Sequence, residues 1–422
     1  MLFKKLALHT QIIIALILGV VYGLVAIQFQ LTTFTQHFIA PFGVIFLNAL
    51  KLIAVPLVIS TLISGICNLK DVNKLGTTGK QSLFLYLSST LLAIIIGLVV
   101  VNILAPWKGM PENLSNTLLS NINTNPQKTI ITERKPLQFL EELIPENIFG
   151  AASSNANILQ IIFFSVLLGI SLLAIPSQKA QPLVSFFDSL STVIVQMVNY
   201  IMKFAPIGTF ALIAGLLVDL VAKNKVDVLD LIWLLTKYGF TVVLALAILV
   251  LIVYPLAVKY IAKKSPNQFL KGILPAQLLA FSTSSSAATL PISLQCAEEN
   301  LKIKKEITGF VLPLGATINM DGTSCYQGIA AVFIAQVLGF DLSLMDQLGI
   351  VFTTTLASIG SAAVPGAGMV MLAIVLEQLK VPVDGIILIV GIDRLLDMCR
   401  TVVNVTGDLT VVQIISYWQS KK

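Results

Sequence analysis

Charge is what this sequence has least of. Asp, Glu, Lys and Arg make up only 11% of its 422 residues, and the mean hydropathy is +0.91. Soluble domains carry about a quarter charged residues, so a soluble globular chain is excluded. Histidine is almost missing. The two present, His9 and His37, lie far in sequence from the polar motif around Asp321, and no G-x-S-x-G occurs. That speaks against a serine hydrolase, and the chain is not read as an enzyme. Cysteine is scarce too. Cys67, Cys296, Cys325 and Cys399 lie in or beside apolar segments, and none forms a C-x-x-C pair. Neither a disulfide framework nor a zinc site is expected from them; they read as small buried hydrophobes. Low-complexity tracts are absent.

What the chain has is long apolar runs. A membrane-spanning helix needs about 20 mostly apolar residues. Windows at 9–29, 38–66, 83–104, 158–175, 193–218, 231–261, 307–337 and 385–415 carry that signal. The runs are continuous rather than alternating, which excludes an outer-membrane barrel. The expectation is an all-α polytopic protein with eight spans. "MLFKK" precedes the first run, and no Ala-x-Ala-like cleavage site follows, so the run reads as a retained span rather than a signal peptide.

The net charge of +6 is not a nucleic-acid signature, because the lysines sort by loop. Lys4 and Lys5 open the chain and Lys421 and Lys422 close it. Lys70, Lys74 and Lys80 follow the second span, Lys259, Lys263 and Lys264 follow the sixth, and Lys302, Lys304 and Lys305 precede the seventh. Positive loops stay cytoplasmic. Both termini are therefore expected in the cytoplasm of a cell-membrane protein, and the polar insert at 107–155, with balanced charge, outside.

Two apolar segments are punctuated in mid-run: "LLAFSTSSSAATLPISL" (278–294) and "TTTLASIGSAAVPGAGMVML" (353–372). Ser286-Ala287-Ala288 in the first echoes Ser361-Ala362-Ala363 in the second, a weak internal repeat. Broken hydrophobic segments in corresponding positions of two halves point to a transporter binding site. The lysine pattern makes the first begin and end inside and the second outside, so both read as re-entrant hairpins of opposite orientation. The alternative, two kinked spans with small packing residues, reverses the sidedness downstream.

Two polar constellations interrupt the apolar background. In the last span Asp393, Asp397, Arg400, Thr401, Asn404 and Asp408 are spaced i, i+4, i+7, i+8, i+11 and i+15. On a helix they share a wedge of about 100°. The other is "LGATINMDGTSCYQG" (314–328), with Asp321 at its centre. Ionisable groups at membrane depth mark function by default. Asp393 or Asp397 accounts for Arg400, which leaves Asp321 and Asp408 without a nearby cation in their own segments. Carboxylate, amide and hydroxyl oxygens with freed carbonyls suit a hard monovalent cation such as sodium. A proton relay is the competing use. Gly322 and Asn319 are expected to let the helix unwind there and release carbonyls.

These motifs have a relative. "NMDGT", "STSSSAATLP", "SIGSAAVPGAG" and "DMCRTVVNVTGD", in this order, resemble the glutamate transporter family, the dicarboxylate/amino acid–cation symporters. The resemblance runs from about residue 6 to the C-terminus and is weakest at 107–155. It implies a homotrimer of elevator carriers. Residues 1–70 and 156–225 (spans one, two, four and five) would form the fixed trimerisation scaffold. Residues 71–106 (span three) and 226–422 (span six, first hairpin, span seven, second hairpin, span eight) would form the moving transport domain, with the hairpins as inner and outer gates.

The resemblance also implies residue roles. Asp397 would bind the substrate's amino group and Arg400 its side-chain carboxylate. Met320, Thr323, Thr401 and Asn404 would line the same pocket, with backbone from Ser285, Ser286, Val364 and Gly368. Three sodium sites would follow: Asp408 with Gly315, Asn319 and Asn404; Thr317 with Ser358, Ile359 and Ser361; and Asp321 with Asn319, Tyr86, Ser89 and Thr90. Within the family, Arg400 implies an acidic substrate, Asp397 an amino acid rather than a plain dicarboxylate, and Asp408 sodium rather than proton coupling. Gln327 stands where animal members place a glutamate linked to proton and potassium countertransport. The family's second arginine is missing at both of its usual positions, here Ser284 and Met398. Arg394, three residues before Asp397, is placed to compensate by pairing with it, unless it snorkels toward water. The function so implied is sodium-driven uptake of L-aspartate or L-glutamate. A proton-coupled acidic amino acid or C4-dicarboxylate symporter is the alternative, and a channel is a more distant one.

Overall fold

The computed structural model describes residues 8–68, 77–110, 144–153, 157–218, 228–359 and 366–421. Among the described residues the chain is helical, with no strand. In chain order the main helices are α1 (Leu8–Gln28), α2 (Ala40–Asn68), α3 (Thr77–Leu104), α4 (Ile158–Ala174) and α5 (Ser177–Leu217). Next, α6 (Val228–Ile248) runs through a π-helical turn, Leu249–Val253, into α7 (Tyr254–Tyr260). Then follow α8 (Pro266–Thr283), α9 (Ser286–Gln295), α10 (Lys305–Ile318), α11 (Asp321–Val337), α12 (Leu344–Ile359), α13 (Ala367–Gln378) and α14 (Val390–Ser420). Within the described residues, Thr10–Gln28, Thr77–Leu104, Ser177–Leu217 and Asp230–Tyr260 are long and apolar enough to cross a membrane.

In lipid no hydrophobic drive pushes helices together, so packing and internal polar contacts must hold them. The outward faces match that solvent. Ile17, Val21 and Leu24 on α1, Phe84, Leu91 and Ile95 on α3, and Phe240 and Val243 on α6 are exposed apolar side chains. Helices α1, α2, α4 and α5 pack chiefly on one another. The remaining helices gather around α14 and around α11, and in α11 every residue but Gln336 is buried. Helices α3, α6, α12, α13 and α14 all touch it.

Two pairs of helices are joined by short breaks. Helices α8 and α9 pack on each other across Ser284 and Ser285. Ser284 takes a left-handed backbone (φ 51°), and Ser285 caps α9 by accepting a hydrogen bond from the Ala288 amide at 3.2 Å. Helices α12 and α13 also pack together, and Gly366, at φ 83°, opens α13 in a conformation that favours glycine. The turn between them, 360–365, lies outside the described residues, and with it fall Ser361 and Val364.

Candidate functional site

The polar motif around Asp321 breaks the seventh apolar run, though not at its glycine. Helix α10 ends at Ile318, Asn319 and Met320 are non-helical (φ/ψ −101°/102° and −121°/52°), and α11 starts at Asp321. Gly322 sits inside the first turn of α11. The expectation that it opens the backbone is corrected. Its lack of a side chain serves close approach: a Cβ there would lie 2.3 Å from the Arg400 carbonyl oxygen and 2.8 Å from Val403 Cβ. Helix α14 can therefore press against α11, and the Gly322 amide reaches Asn404 Oδ1 at 2.8 Å.

The wedge on α14 is buried in full: Asp393, Asp397, Arg400, Thr401, Asn404 and Asp408 are all inaccessible or nearly so. Arg400 is 0% exposed. Its Nη1 donates to Asp393 Oδ1 at 3.1 Å and its Nη2 to Asp397 Oδ1 at 2.8 Å. The guanidinium carbon stands 3.8 Å from the centre of the Tyr326 ring, a cation–π contact in a dry site. Gly368 backs onto the same guanidinium, where a Cβ would lie 3.1 Å from Nη1. The Gly368 carbonyl accepts from Gln327 Nε2 at 3.4 Å.

Arg394 does not snorkel. It is 7% exposed, and its Nη1 donates to Asp397 Oδ2 at 3.2 Å. The Gly366 amide donates to the same oxygen at 3.3 Å. The i,i+3 spacing puts the two side chains on adjacent turns, and burial removes the competing water. Arg394 and Asp397 also border a cavity of about 10 Å³, scarcely room for a water, whose other walls include Ile12, Phe46, Met202 and Thr209 of α1, α2 and α5. Asp393, Asp397, Arg394 and Arg400 thus form a closed set, two negative and two positive charges summing to zero.

Asp321 and Asp408 stand outside that balance. Among the described residues neither is in an ion pair, yet both are buried, Asp321 at 0% exposure. The Asp321 Oδ1 receives Ser89 Oγ at 3.2 Å and Thr90 Oγ1 at 2.9 Å, and both hydroxyls also lie within 3.3 Å of Asn319 Oδ1. Ser89 Oγ further contacts the Tyr86 carbonyl at 3.0 Å. Five oxygen-bearing residues, Tyr86, Ser89 and Thr90 of α3 with Asn319 and Asp321, therefore lie together. The Tyr86 hydroxyl goes elsewhere, to the Val311 carbonyl at 2.8 Å. Asn319 bridges to Asp408, donating through Nδ2 to Oδ1 at 3.0 Å. Gly315 backs onto that carboxylate, where a Cβ would lie 2.5 Å from Asp408 Oδ1 and from the Tyr86 hydroxyl.

Other expected residues are less tightly gathered. Asn404, assigned to both a pocket and a cation set, turns its Nδ2 toward Met320 Sδ and Thr323 Oγ1, both at 3.3 Å. Ser358 bonds the break itself, accepting from the Met320 amide at 3.2 Å and donating to the Ile318 carbonyl at 3.3 Å. Thr317 is exposed and turns its hydroxyl back to the Leu314 carbonyl at 2.8 Å. Ile359 ends α12. Thr401 donates to the Asp397 carbonyl at 2.8 Å, and Ser286 is buried at the start of α9.

Sequence reasoning missed two residues. Tyr326 lies inside the Asp321 motif, five residues past the carboxylate, and reads as an ordinary core aromatic. Tyr254 donates to Asp321 Oδ2 at 2.7 Å from a helix 67 positions away. Its only sequence signal is a Tyr-Pro pair closing the aliphatic string "LVLIVYP" (249–255).

Comparison with known proteins gives the family. A family model described as the sodium:dicarboxylate symporter family matches residues 8–418. The chain is 34% identical to the rabbit (Oryctolagus cuniculus) excitatory amino acid transporter 3, covering 97% of this chain and 85% of that one. It is 34% identical to the proton/sodium-glutamate symport protein of Geobacillus stearothermophilus, covering 99% and 96%. It is also 34% identical to an excitatory amino acid transporter of Caenorhabditis elegans, over 98% of this chain and 88% of that one. With its apolar helices and buried charges, the chain is a multi-pass membrane transporter rather than an enzyme, and it belongs to the sodium:dicarboxylate symporter family.

Proposed function

We propose that the chain is a secondary active symporter that couples inward sodium movement to uptake of L-aspartate or L-glutamate. The observation that carries this is the charge arrangement. One set of four groups is internally neutral, while two further buried carboxylates, Asp321 and Asp408, have no protein cation among the described residues. Burying a lone carboxylate is costly unless something neutralises it. Sodium supplies that charge from solution, through oxygens of the kind found around Asp321 and Asp408.

An acidic amino acid fits the neutral set by exchange of partners. Its side-chain carboxylate takes Arg400 from Asp393 and Asp397, and its ammonium takes Asp397 from Arg394. The entering side-chain carboxylate and ammonium each find an opposite charge already buried. A plain dicarboxylate has nothing to offer Asp397. The remaining pocket contacts are Met320, Thr323, Thr401 and Asn404, with backbone of Ser285, Ser286, Val364 and Gly368. The cation groups are Asp321, Asn319, Tyr86, Ser89 and Thr90; Asp408, Gly315, Asn319 and Asn404; and Thr317, Ser358, Ile359 and Ser361.

The coupling has a physical basis in the Asn319–Met320 break. Asn319 donates to Asp408 and shares the Ser89 and Thr90 hydroxyls with Asp321, and the next residue, Met320, meets Asn404 in the pocket. Cations that draw Asn319 into place therefore set Met320 as well. Helices α1, α2, α4 and α5 packing as one group, with the pocket-bearing helices as another, support an elevator, and a homotrimer belongs with that reading. The eight spans, the opposed re-entrant hairpins at α8–α9 and α12–α13, and the cytoplasmic termini belong to the same reading.

A second reading has one observation in its favour: the bacterial relative's name couples glutamate to proton as well as sodium. Radiolabelled aspartate uptake into proteoliposomes, with sodium and proton gradients imposed separately, tells them apart. Uptake driven by an inward proton gradient and indifferent to sodium rejects the sodium assignment.

A further inference from the structure

Asp321 is held from two sides by two different helices, and the two sides differ in chemistry. Ser89 and Thr90 of α3 reach Oδ1, while Tyr254 of α7 reaches Oδ2 at 2.7 Å. Aliphatic hydroxyls carry two lone pairs and rotate about their C–O bonds, so Ser89 and Thr90 can turn from donors into ligands when a cation arrives. Tyr254 has less freedom. Its side chain is buried, and its hydroxyl is engaged with the carboxylate oxygen that the Ser89–Thr90 pair does not use.

Several local features aim this tyrosine. The π turn Leu249–Val253 immediately precedes it. A π turn adds a residue, which rotates everything after it by about 100° relative to an unbroken α-helix. Pro255 follows, and its missing N–H would leave a gap in a regular ladder that the widened turn absorbs. Gly407 of α14 completes the fit. A Cβ there would lie 2.8 Å from Asp321 Oδ2 and 3.0 Å from the Tyr254 hydroxyl. Beside the pair is a cavity of about 150 Å³ whose walls include Ser89, Tyr254, Gly407 and Thr410.

We propose that Tyr254 is a positioning residue of the cation group around Asp321. By donating to Oδ2 it fixes the plane of the carboxylate, leaving Oδ1 directed at Ser89 and Thr90, and so sets both the affinity for sodium and the preference for sodium over lithium. The inference rests on the sodium reading above, and the test separates the two.

The test uses purified full-length protein in nanodiscs, with radiolabelled L-aspartate binding titrated against NaCl and against LiCl. Tyr254→Phe keeps the ring and removes the donor. The expected result is a rise of about tenfold or more in half-saturating sodium, aspartate affinity at saturating sodium within about threefold of wild type, and a narrower preference for sodium over lithium. Half-saturating sodium within about twofold of wild type overturns the proposal. So does a parallel loss of sodium and aspartate affinity with the ion preference unchanged, which marks a structural role only. Should Tyr254→Phe not fold, Gly407→Ala disturbs the same pair from the opposite side with the hydroxyl retained. A sodium-specific loss there supports the proposal, and unchanged sodium activation overturns it. Wild-type binding that needs no sodium refutes the symport reading itself, and that arm is read without any variant.

Discussion

Replacing Arg394 by methionine keeps a long apolar stem and removes one charge from the buried set. In the substrate-free protein Asp397 Oδ2 then loses its 3.2 Å partner. It retains the Gly366 amide at 3.3 Å, and Oδ1 retains Arg400 at 2.8 Å. Removing one partner of a buried charge pair costs about 2–5 kcal/mol. With two contacts remaining the lower end applies, about 2 kcal/mol. The loss at Asp397 falls on the empty carrier, because in the loaded carrier the substrate's ammonium takes Arg394's place there. The side chain also borders α1, α2 and α5 through Ile12, Phe46 and Met202, so an unbalanced charge would have to be carried along a dry boundary. A barrier raised by about 2 kcal/mol slows a step about 30-fold. Proteoliposomes separate the two branches of the cycle. Net uptake, which needs the empty carrier to return, falls about 30-fold in Arg394→Met, while exchange of internal for external labelled aspartate stays within a few-fold. Arg394→Lys recovers part of the net rate. Equal losses in net uptake and exchange refute the reasoning, because they mean Arg394 only holds the fold.

Two further outcomes follow from the same geometry. Arg400→Cys leaves Asp393 and Asp397 buried without their shared cation; acidic substrate affinity falls at least about 30-fold, corresponding to about 2–5 kcal/mol, and small neutral amino acids such as serine or alanine gain entry, measured by competition binding. Gly322→Ala places a Cβ 2.3 Å from the Arg400 carbonyl oxygen, whereas Gly328→Ala meets nothing nearer than 3.6 Å. Overpacking costs about 1–3 kcal/mol, so the first variant unfolds at a lower temperature than wild type and the second does not, as followed by thermal unfolding in detergent.

Much of this protein is legible in its amino-acid sequence alone. Helical periodicity is local, so the spacing from Asp393 to Asp408 is enough to place six polar groups on one buried face of α14. The apolar runs locate the helices, and the lack of a cation near Asp321 and Asp408 holds among the described residues. The pairing of Arg394 with Asp397 also needs only the i,i+3 rule and burial. Tertiary structure decided the rest, because contacts between distant helices depend on how the helices register against one another, which no local pattern encodes. It kept Asn319 in the break, put Met320 beside it in place of Gly322, and gave the glycine a packing role against Arg400. It linked two carboxylates 87 positions apart, Asp321 and Asp408, through Asn319, which donates to Asp408 and shares the Ser89 and Thr90 hydroxyls with Asp321. And it brought Tyr254 to Asp321 by way of one extra residue in a π turn, a rotation invisible in an aliphatic string whose every face looks alike.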